Sequence, residues 1–209
     1  DTAANYLTRP PKRSDVLSVF AGLRPLAAPR SEGKKTKEIS RSHKLIREKS
    51  GLITIIGGKW TTYRKMAQDT LDLAIRYMHI PTKDCITERY QIHGSRKNPD
   101  FSDPLYVYGT DADEIRNLVA SSPAMAEKLH PDYAYTVGEV TWLVRNEMHR
   151  TLEDVLARRL RILFLDARAA MAMAPKVAGI LATEWGKDET WTSAQVKAFN
   201  EVASNYILN

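Results

Sequence analysis

The chain has 209 residues, 43% hydrophobic and 27% charged, an ordinary composition for one or two folded domains with an ample core. Its lone cysteine, Cys85, excludes an internal disulfide framework and a four-cysteine zinc or iron–sulfur site, and no run approaches the roughly 18 uncharged apolar residues of a membrane-spanning helix. The net charge of +6 is concentrated in residues 29–49, which hold eight Lys/Arg against three Glu, a net of +5, and carry no aromatic residue on which a base could stack. Residues 2–8 suit one or two helical turns, ended by Pro10 and Pro11. The opening "DTAANYLTRPPKR" puts its charge after its apolar residues, which is not a secretory signal pattern. It also lacks a methionine and reads like the end of a helix, so the expectation is a chain cut from something longer.

"DVLSVFAGLRPL" alternates from Val16 to Ala21 and predicts a strand, broken by Gly22 and left through Arg24-Pro25. The basic segment follows. Its readings are a solvated loop, an anion-binding loop or a nucleic-acid patch. No RNA-binding or helix-turn-helix signature surrounds it, so nucleic acid is not expected as a partner. "EISRSHKLIRE" suggests a strand with Ile39, Arg41 and His43 on one face. "GLITIIGG" is β-branched and apolar on both faces, which predicts a central strand. After it, Tyr63, Met66, Ala67, Thr70, Leu71, Ala74, Ile75 and Met78 form one apolar stripe at helical spacing, closed by Pro81.

From about Cys85 the character changes to short alternation ("CITERYQIHG") and then turn residues. After Asp111 almost everything is helical. "DADEIRNLVASS" predicts a short helix, and "TVGEVTWLVRNEM" one with Val137, Val140, Thr141, Val144 and Met148 on one side. Thr151-Leu152-Glu153-Asp154 reads as an N-cap and helix start, with Leu152, Val155, Leu156 and Leu160 inward. "LDARAAMAMAPKVAGILATEWG" predicts a long apolar helix bent or broken at Pro175. Thr192-Ser193-Ala194-Gln195 looks like a capping box before a last helix lined by Val196, Phe199, Ala203 and Tyr206. "ARRLR" at 157–161 reads as surface ion pairing, with docking to anionic lipid as the alternative. His130 and His149 are isolated, and no catalytic constellation shows in this part.

The informative joint is "GLITIIGGKWTTYRKM", residues 51–66. A helix opens with unpaired N–H groups and a partial positive charge. Gly57 and Gly58 carry no Cβ, so a flat ligand can approach the backbone; Thr61 and Thr62 can cap or donate; Lys59 adds a full charge. Such a site suits a phosphate or the pyrimidine side of a flavin as it accepts electrons. The plain alternative is a strand–helix turn whose glycines only permit the bend. The phosphate loop of nucleotide hydrolases is absent, and no G-x-G-x-x-G occurs, since no two glycines are separated by one residue.

"SVFAGLRPL", "SRSHKL", "SGLITIIGGKWTTYRKMAQDTLD" and "TLEDVLARRLR" resemble, in order and spacing, the FAD-dependent glycerol-3-phosphate dehydrogenase family, in its aerobic type. The resemblance covers essentially the whole chain but only the C-terminal part of the family's usual length. It implies an α+β fold: the last strands and helix of an amino-acid-oxidase-like flavin domain (residues 1–80), then a helical domain (81–209) entered through a transitional segment at 81–110. It implies oxidation of sn-glycerol 3-phosphate to dihydroxyacetone phosphate, with hydride passed to FAD and electrons to quinone. Arg24 would bind the substrate's phosphate or hydroxyls, Arg41 its phosphate, Lys59 would be catalytic and contact substrate, and Gly57, Gly58, Lys59, Trp60, Thr61 and Thr62 would contact FAD. Trp60 packing against the sheet, and a structural His43, are the competing readings of those two residues.

The family's dinucleotide-binding fingerprint lies outside this chain, so by itself the chain is expected neither to hold FAD tightly nor to turn over substrate. The resemblance further implies a cytoplasmic protein, or a peripheral one on the cytoplasmic face of the inner membrane. The helical part is expected to brace the flavin domain or mediate assembly, a homo-oligomer included. A glycerophosphate oxidase using oxygen is the nearest alternative, and a non-enzymatic helical binding module with a basic loop is the alternative of another class. The multi-subunit anaerobic relatives, with cysteine clusters, do not suit a chain with one cysteine.

Overall fold

The computed structural model describes residues 2–23 and 42–208. Their contacts divide them into two compact units, Gly22–Ile92 and the combination of Asp1–Ala21 with His93–Asn209. The molecule is mostly helical, with one small sheet.

In the first unit, β1 (Lys44–Arg47) pairs antiparallel with β2 (Ile53–Ile56), Lys44 opposite Ile56 and Arg47 opposite Ile53. The hairpin turns through Gly51, whose φ of 92° is left-handed backbone that glycine enters without a Cβ penalty. A 3₁₀ turn, Trp60–Thr62, leads into α1 (Tyr63–Met78). α1 ends at His79, in left-handed backbone with its N–H on the Ile75 carbonyl. The Arg47 guanidinium lies 4.1 Å above the Tyr77 ring and ties β1 to the end of α1.

Two expectations are corrected here. β2 was expected to be central, but among the described residues it has a strand on one edge only, and Ile53–Ile56 are half-buried. The apolar stripe of α1 is also only partly covered. Met66, Thr70, Ala74 and Ile75 pack, whereas Tyr63, Ala67, Leu71 and Met78 are exposed. A two-stranded hairpin is narrower than the stripe, so one flank of the helix stays open.

The second unit opens with a 3₁₀ turn at Thr2–Asn5. Residues 16–21 do not form the predicted strand; their backbone is tied to helices instead. The Ala167 N–H donates to the Leu17 carbonyl (3.1 Å), the Val19 N–H to that of Tyr206 (2.8 Å), and the Ser18 hydroxyl to that of Leu163 (2.7 Å). Alternating side chains are thus satisfied by packing on a helical surface, with the Phe20 ring edge-on to Phe164.

The helices are α2 (Ala112–Ala120), α3 (Pro123–Ala126), α4 (Val137–Asn146), a π-helical turn at Asp154–Arg159, α5 (Ile162–Leu165), α6 (Ala167–Trp185) and α7 (Glu189–Ser204); all but the short α3 and α5 follow the predicted order. Four of these, α3, α4, α6 and α7, start at a side-chain cap. Ser122 accepts from Met125, Thr136 from Glu139, Asp166 from Ala169 and Asp188 from Trp191. Thr151 caps as predicted, its hydroxyl oxygen accepting from the Asp154 N–H while Asp154 accepts from the Thr151 N–H. α6 runs unbroken through Pro175 and ends at Gly186.

The core lies in this unit. Leu143, Leu152, Leu156, Ile162, Met173 and Phe199 are fully buried, each worth roughly 1.5–3 kcal/mol of apolar transfer. Leu152, Val155, Leu156 and Leu160 point inward as predicted. Met148 does not: it is 93% exposed, because α4 ends at Asn146 and the chain turns out before reaching it. The rest of the predicted side is covered, with Val140, Thr141 and Val144 buried and Val137 half-buried, and Trp142 and Leu143 on the opposite flank are buried as well.

Candidate functional site

The strand–helix joint is built by three local features. Gly57 and Gly58 both have positive φ, 75° and 93°. A Cβ on Gly58 would lie 2.5 Å from Met66 Sδ and 3.4 Å from His43 Cβ, so α1 and the start of β1 close on the glycine backbone. Thr62 then fixes the turn, its hydroxyl donating to the Lys59 carbonyl (3.0 Å) and accepting from the Lys59 N–H (3.3 Å). The plain reading of the joint therefore holds for Thr62 and for one side of Gly58.

The other side is open. Lys59, Trp60 and Thr61 are exposed, and Lys59 forms no ion pair among the described residues. Trp60 does not pack on the sheet. It is 88% exposed, with its ring 6.0 Å from that of Tyr63. The N–H groups of Gly58, Trp60 and Thr61 have no acceptor among the described residues. An outward-facing turn with three free amides and a free ammonium can bind the electron-rich, polar edge of a flat group or an oxyanion.

His43 stands behind the turn rather than in its mouth. Its Nε2 is 2.9 Å from Asp69 Oδ2, and Lys65 Nζ is 2.6 Å from Oδ1 of the same carboxylate. The Lys65 hydrogen bond, more than that from His43, holds the Asp69 carboxyl below the usual range. This His43–Asp69–Lys65 chain fastens the start of β1 to α1, which agrees with a structural His43. Arg24 and Arg41, the expected phosphate ligands, lie outside the described residues, as does Ile39.

The helical unit holds a polar cluster that periodicity did not expose. The Tyr108 hydroxyl donates to Glu139 Oε1 at 2.6 Å, the Arg159 guanidinium lies 5.5 Å from the Tyr108 ring, and Trp142 Nε1 donates to Glu114 Oε2 at 3.0 Å. Burial raises the Glu139 carboxyl above the usual range, against the lowering effect of the Tyr108 hydrogen bond. Burial, with the Glu139 charge beside it, raises the Tyr108 phenol. The readable signal was Thr136-x-x-Glu139, a capping-box pattern on an apolar helix. "ARRLR" pairs as expected, Arg158 with Glu153 (2.8 Å) and Asp154 (2.9 Å), and Arg159 with Glu147 (2.5 Å). Among the described residues no group of His, Cys, Asp and Glu is placed to hold a metal, and no helix is long and apolar enough to cross a membrane.

Residues 52–192 match the family model of the C-terminal domain of alpha-glycerophosphate oxidase. The mitochondrial glycerol-3-phosphate dehydrogenase SDP6 of Arabidopsis thaliana is 32% identical, over 98% of this chain and 40% of its own length. Probable mitochondrial glycerol-3-phosphate dehydrogenases of Caenorhabditis elegans (36% identical) and Dictyostelium discoideum (34%) match 94% and 93% of this chain and 29% and 33% of their own lengths. The chain thus spans well under half of the relatives it matches.

Proposed function

Because the chain belongs to the family of the C-terminal domain of alpha-glycerophosphate oxidase, we propose that it is the C-terminal part of an FAD-dependent glycerol-3-phosphate dehydrogenase. The whole protein would oxidise sn-glycerol 3-phosphate to dihydroxyacetone phosphate and pass electrons to a membrane quinone. The names of the relatives support the substrate. The observation that carries the site is the open turn at Gly57–Thr62, with free amides and Lys59 at its mouth.

FAD, when bound, would supply the hydride acceptor. The residues present fit it. Two glycines let a planar ring approach the backbone, and the amides of Gly58, Trp60 and Thr61 donate to its polar edge. Lys59 stabilises negative charge that develops between ring and substrate. Thr61 remains free to bond the cofactor, and Thr62 serves by holding the turn in shape. Arg24 and Arg41 bind the substrate phosphate, since a dianion taken from water needs more than one cation, and the planar guanidinium pairs two oxygens at once. By itself this stretch would neither retain FAD nor turn over, because the dinucleotide fingerprint is not within it.

The whole protein is proposed to sit peripherally on an inner membrane, where it meets quinone, and to use the helical unit as a brace or in self-assembly. The mitochondrial names of the relatives favour the mitochondrial inner membrane over a cytoplasmic location.

Lys59→Ala in the complete polypeptide is expected to lower kcat/KM tenfold or more, about 1.4 kcal/mol of transition-state stabilisation. Unchanged steady-state kinetics would remove Lys59 from the site. The oxidase in the family description favours one second reading, oxygen as acceptor. Peroxide yield against quinone-analogue reduction separates the two.

A further inference from the structure

Where the chain leaves α4 and where α6 turns into α7, five residues line a half-open cavity of about 460 Å³: His149, Arg150, Trp185, Lys187 and Trp191. The two indoles are half-buried and meet edge-to-face, their ring centroids 5.7 Å apart. The His149 side chain is only 3% exposed. Burial lowers its pKa, so at neutral pH it adds no charge to the cavity.

Every lining side chain can donate a hydrogen bond, and none carries a carboxylate. Arg150 and Lys187 are exposed, and neither side chain forms an ion pair among the described residues. The indole N–H groups of Trp185 and Trp191 have no acceptor among them either. The acids close by in sequence are engaged elsewhere. Glu147 pairs with Arg159, Asp154 with Arg158 and Glu184 with Arg145, Asp188 caps α7, and Glu189 lines a separate groove. Two cations facing one opening without a counter-charge repel each other, and a doubly charged anion placed between them turns that repulsion into attraction. A carboxylate brings one negative charge. A phosphate monoester brings nearly two at neutral pH, with three acceptor oxygens for the guanidinium, the ammonium and the indole donors.

We infer that this cavity binds a phosphate monoester, its oxygens held by Arg150 and Lys187 and its organic part laid on the Trp185–Trp191 pair. Indoles suit that second task because they combine an apolar face with one N–H donor. The phosphate can belong to a soluble molecule or to a lipid headgroup such as that of phosphatidic acid. The site uses residues of the helical unit only, so it does not rest on the dehydrogenase reading, whose proposed residues lie in the other unit.

Calorimetric titration of the 209-residue chain with phenyl phosphate, and separately with benzoate, tests the inference; a second arm measures co-flotation with phosphatidylcholine vesicles with and without phosphatidic acid. Phenyl phosphate is expected to bind at least roughly tenfold more tightly than benzoate. Arg150→Gln and Lys187→Gln, both at exposed positions that leave the core intact, are each expected to weaken the phosphate about tenfold. Lys197→Gln removes an exposed cation outside the cavity and is expected to change nothing, which separates the site from net charge. Phenyl phosphate binding that Lys187→Gln weakens supports a soluble source. Binding confined to vesicles containing phosphatidic acid, and lost in the same variant, supports a lipid headgroup. No binding in either arm, equal affinity for benzoate, full affinity in both cavity variants, or an equal loss in Lys197→Gln would each overturn the assignment.

Discussion

Gly58 and Gly109 both occupy left-handed backbone, with φ of 93° and 56°, but a methyl group added at each meets a different obstacle. At Gly58 the nearest atoms belong to the end of the Met66 side chain, which can swing aside. At Gly109 the Cβ would lie 1.6 Å from the Gly94 carbonyl oxygen, which is backbone, and the Thr110 N–H donates to that same oxygen. Gly58→Ala is therefore expected to cost about 1–2 kcal/mol of folding stability, and Gly109→Ala more than about 3 kcal/mol. Urea denaturation of the two variants checks the order, and equal midpoints would contradict it.

Glu139 makes the pH prediction at this scale. Burial keeps its proton on above the usual carboxylate range, so the folded chain binds that proton more tightly than the unfolded chain does. Its contribution to stability is thus fully present below the ordinary Glu pKa and is lost as pH rises through the folded-state value. As pH rises above the ordinary Glu range, the wild type should lose stability relative to Glu139→Gln. A parallel pair of stability–pH curves would show Glu139 titrating normally. The Thr136-x-x-Glu139 spacing marks a helix start but says nothing of burial. Helical periodicity assigns Glu139 to a polar flank, and only the arrival of Tyr108 from 31 residues upstream buries it. The opposite holds at the joint. Gly57, Gly58 and Thr62 act through backbone conformation and bonds within three or four residues, so their roles are written locally and could be read there.

Among the elements, the start of α7 shows how a local pattern misleads. Thr192-x-x-Gln195 has the form of a capping box, yet the helix begins a turn earlier, where Asp188 Oδ1 accepts from the Trp191 N–H at 2.8 Å. Gln195 serves a distant element, accepting from the Leu152 N–H at 3.0 Å. Trp191, in that first turn, also packs edge-to-face on Trp185. Asp188→Ala should therefore cost about 1 kcal/mol, and Thr192→Ala no more than about 0.5 kcal/mol, in thermal or urea unfolding. The reverse order would restore the cap to Thr192. Residues 16–21 fail for a related reason. Alternation reports a chain with two different sides, and a helical surface bonded at Leu17, Ser18 and Val19 satisfies it as well as a sheet does.

At the scale of the whole molecule, burial is unevenly shared. Every buried residue among those described lies at or beyond Tyr108, in the helical unit. In the unit spanning Gly22–Ile92, β1, β2 and α1 have none, while Trp60, Tyr63, Leu71 and Met78 stand exposed and one edge of β2 is unpaired among the described residues. Apolar burial is the main term opposing conformational entropy, so the two units cannot share one opening free energy. Hydrogen exchange on this chain should find amides in α1 and β2 at least tenfold less protected than those in α4 and α6, whose exchange requires unfolding of the core. In the complete polypeptide of the proposed dehydrogenase, the open edge and the bare flank of α1 would be covered by the flavin domain. Protection in α1 and β2 should then rise toward that of α6, because the same backbone bonds would sit beneath new apolar cover. Equal protection of both units in this chain alone would mean that the hairpin and α1 carry their own stability. The exposed stripe would then no longer support a missing flavin-binding partner.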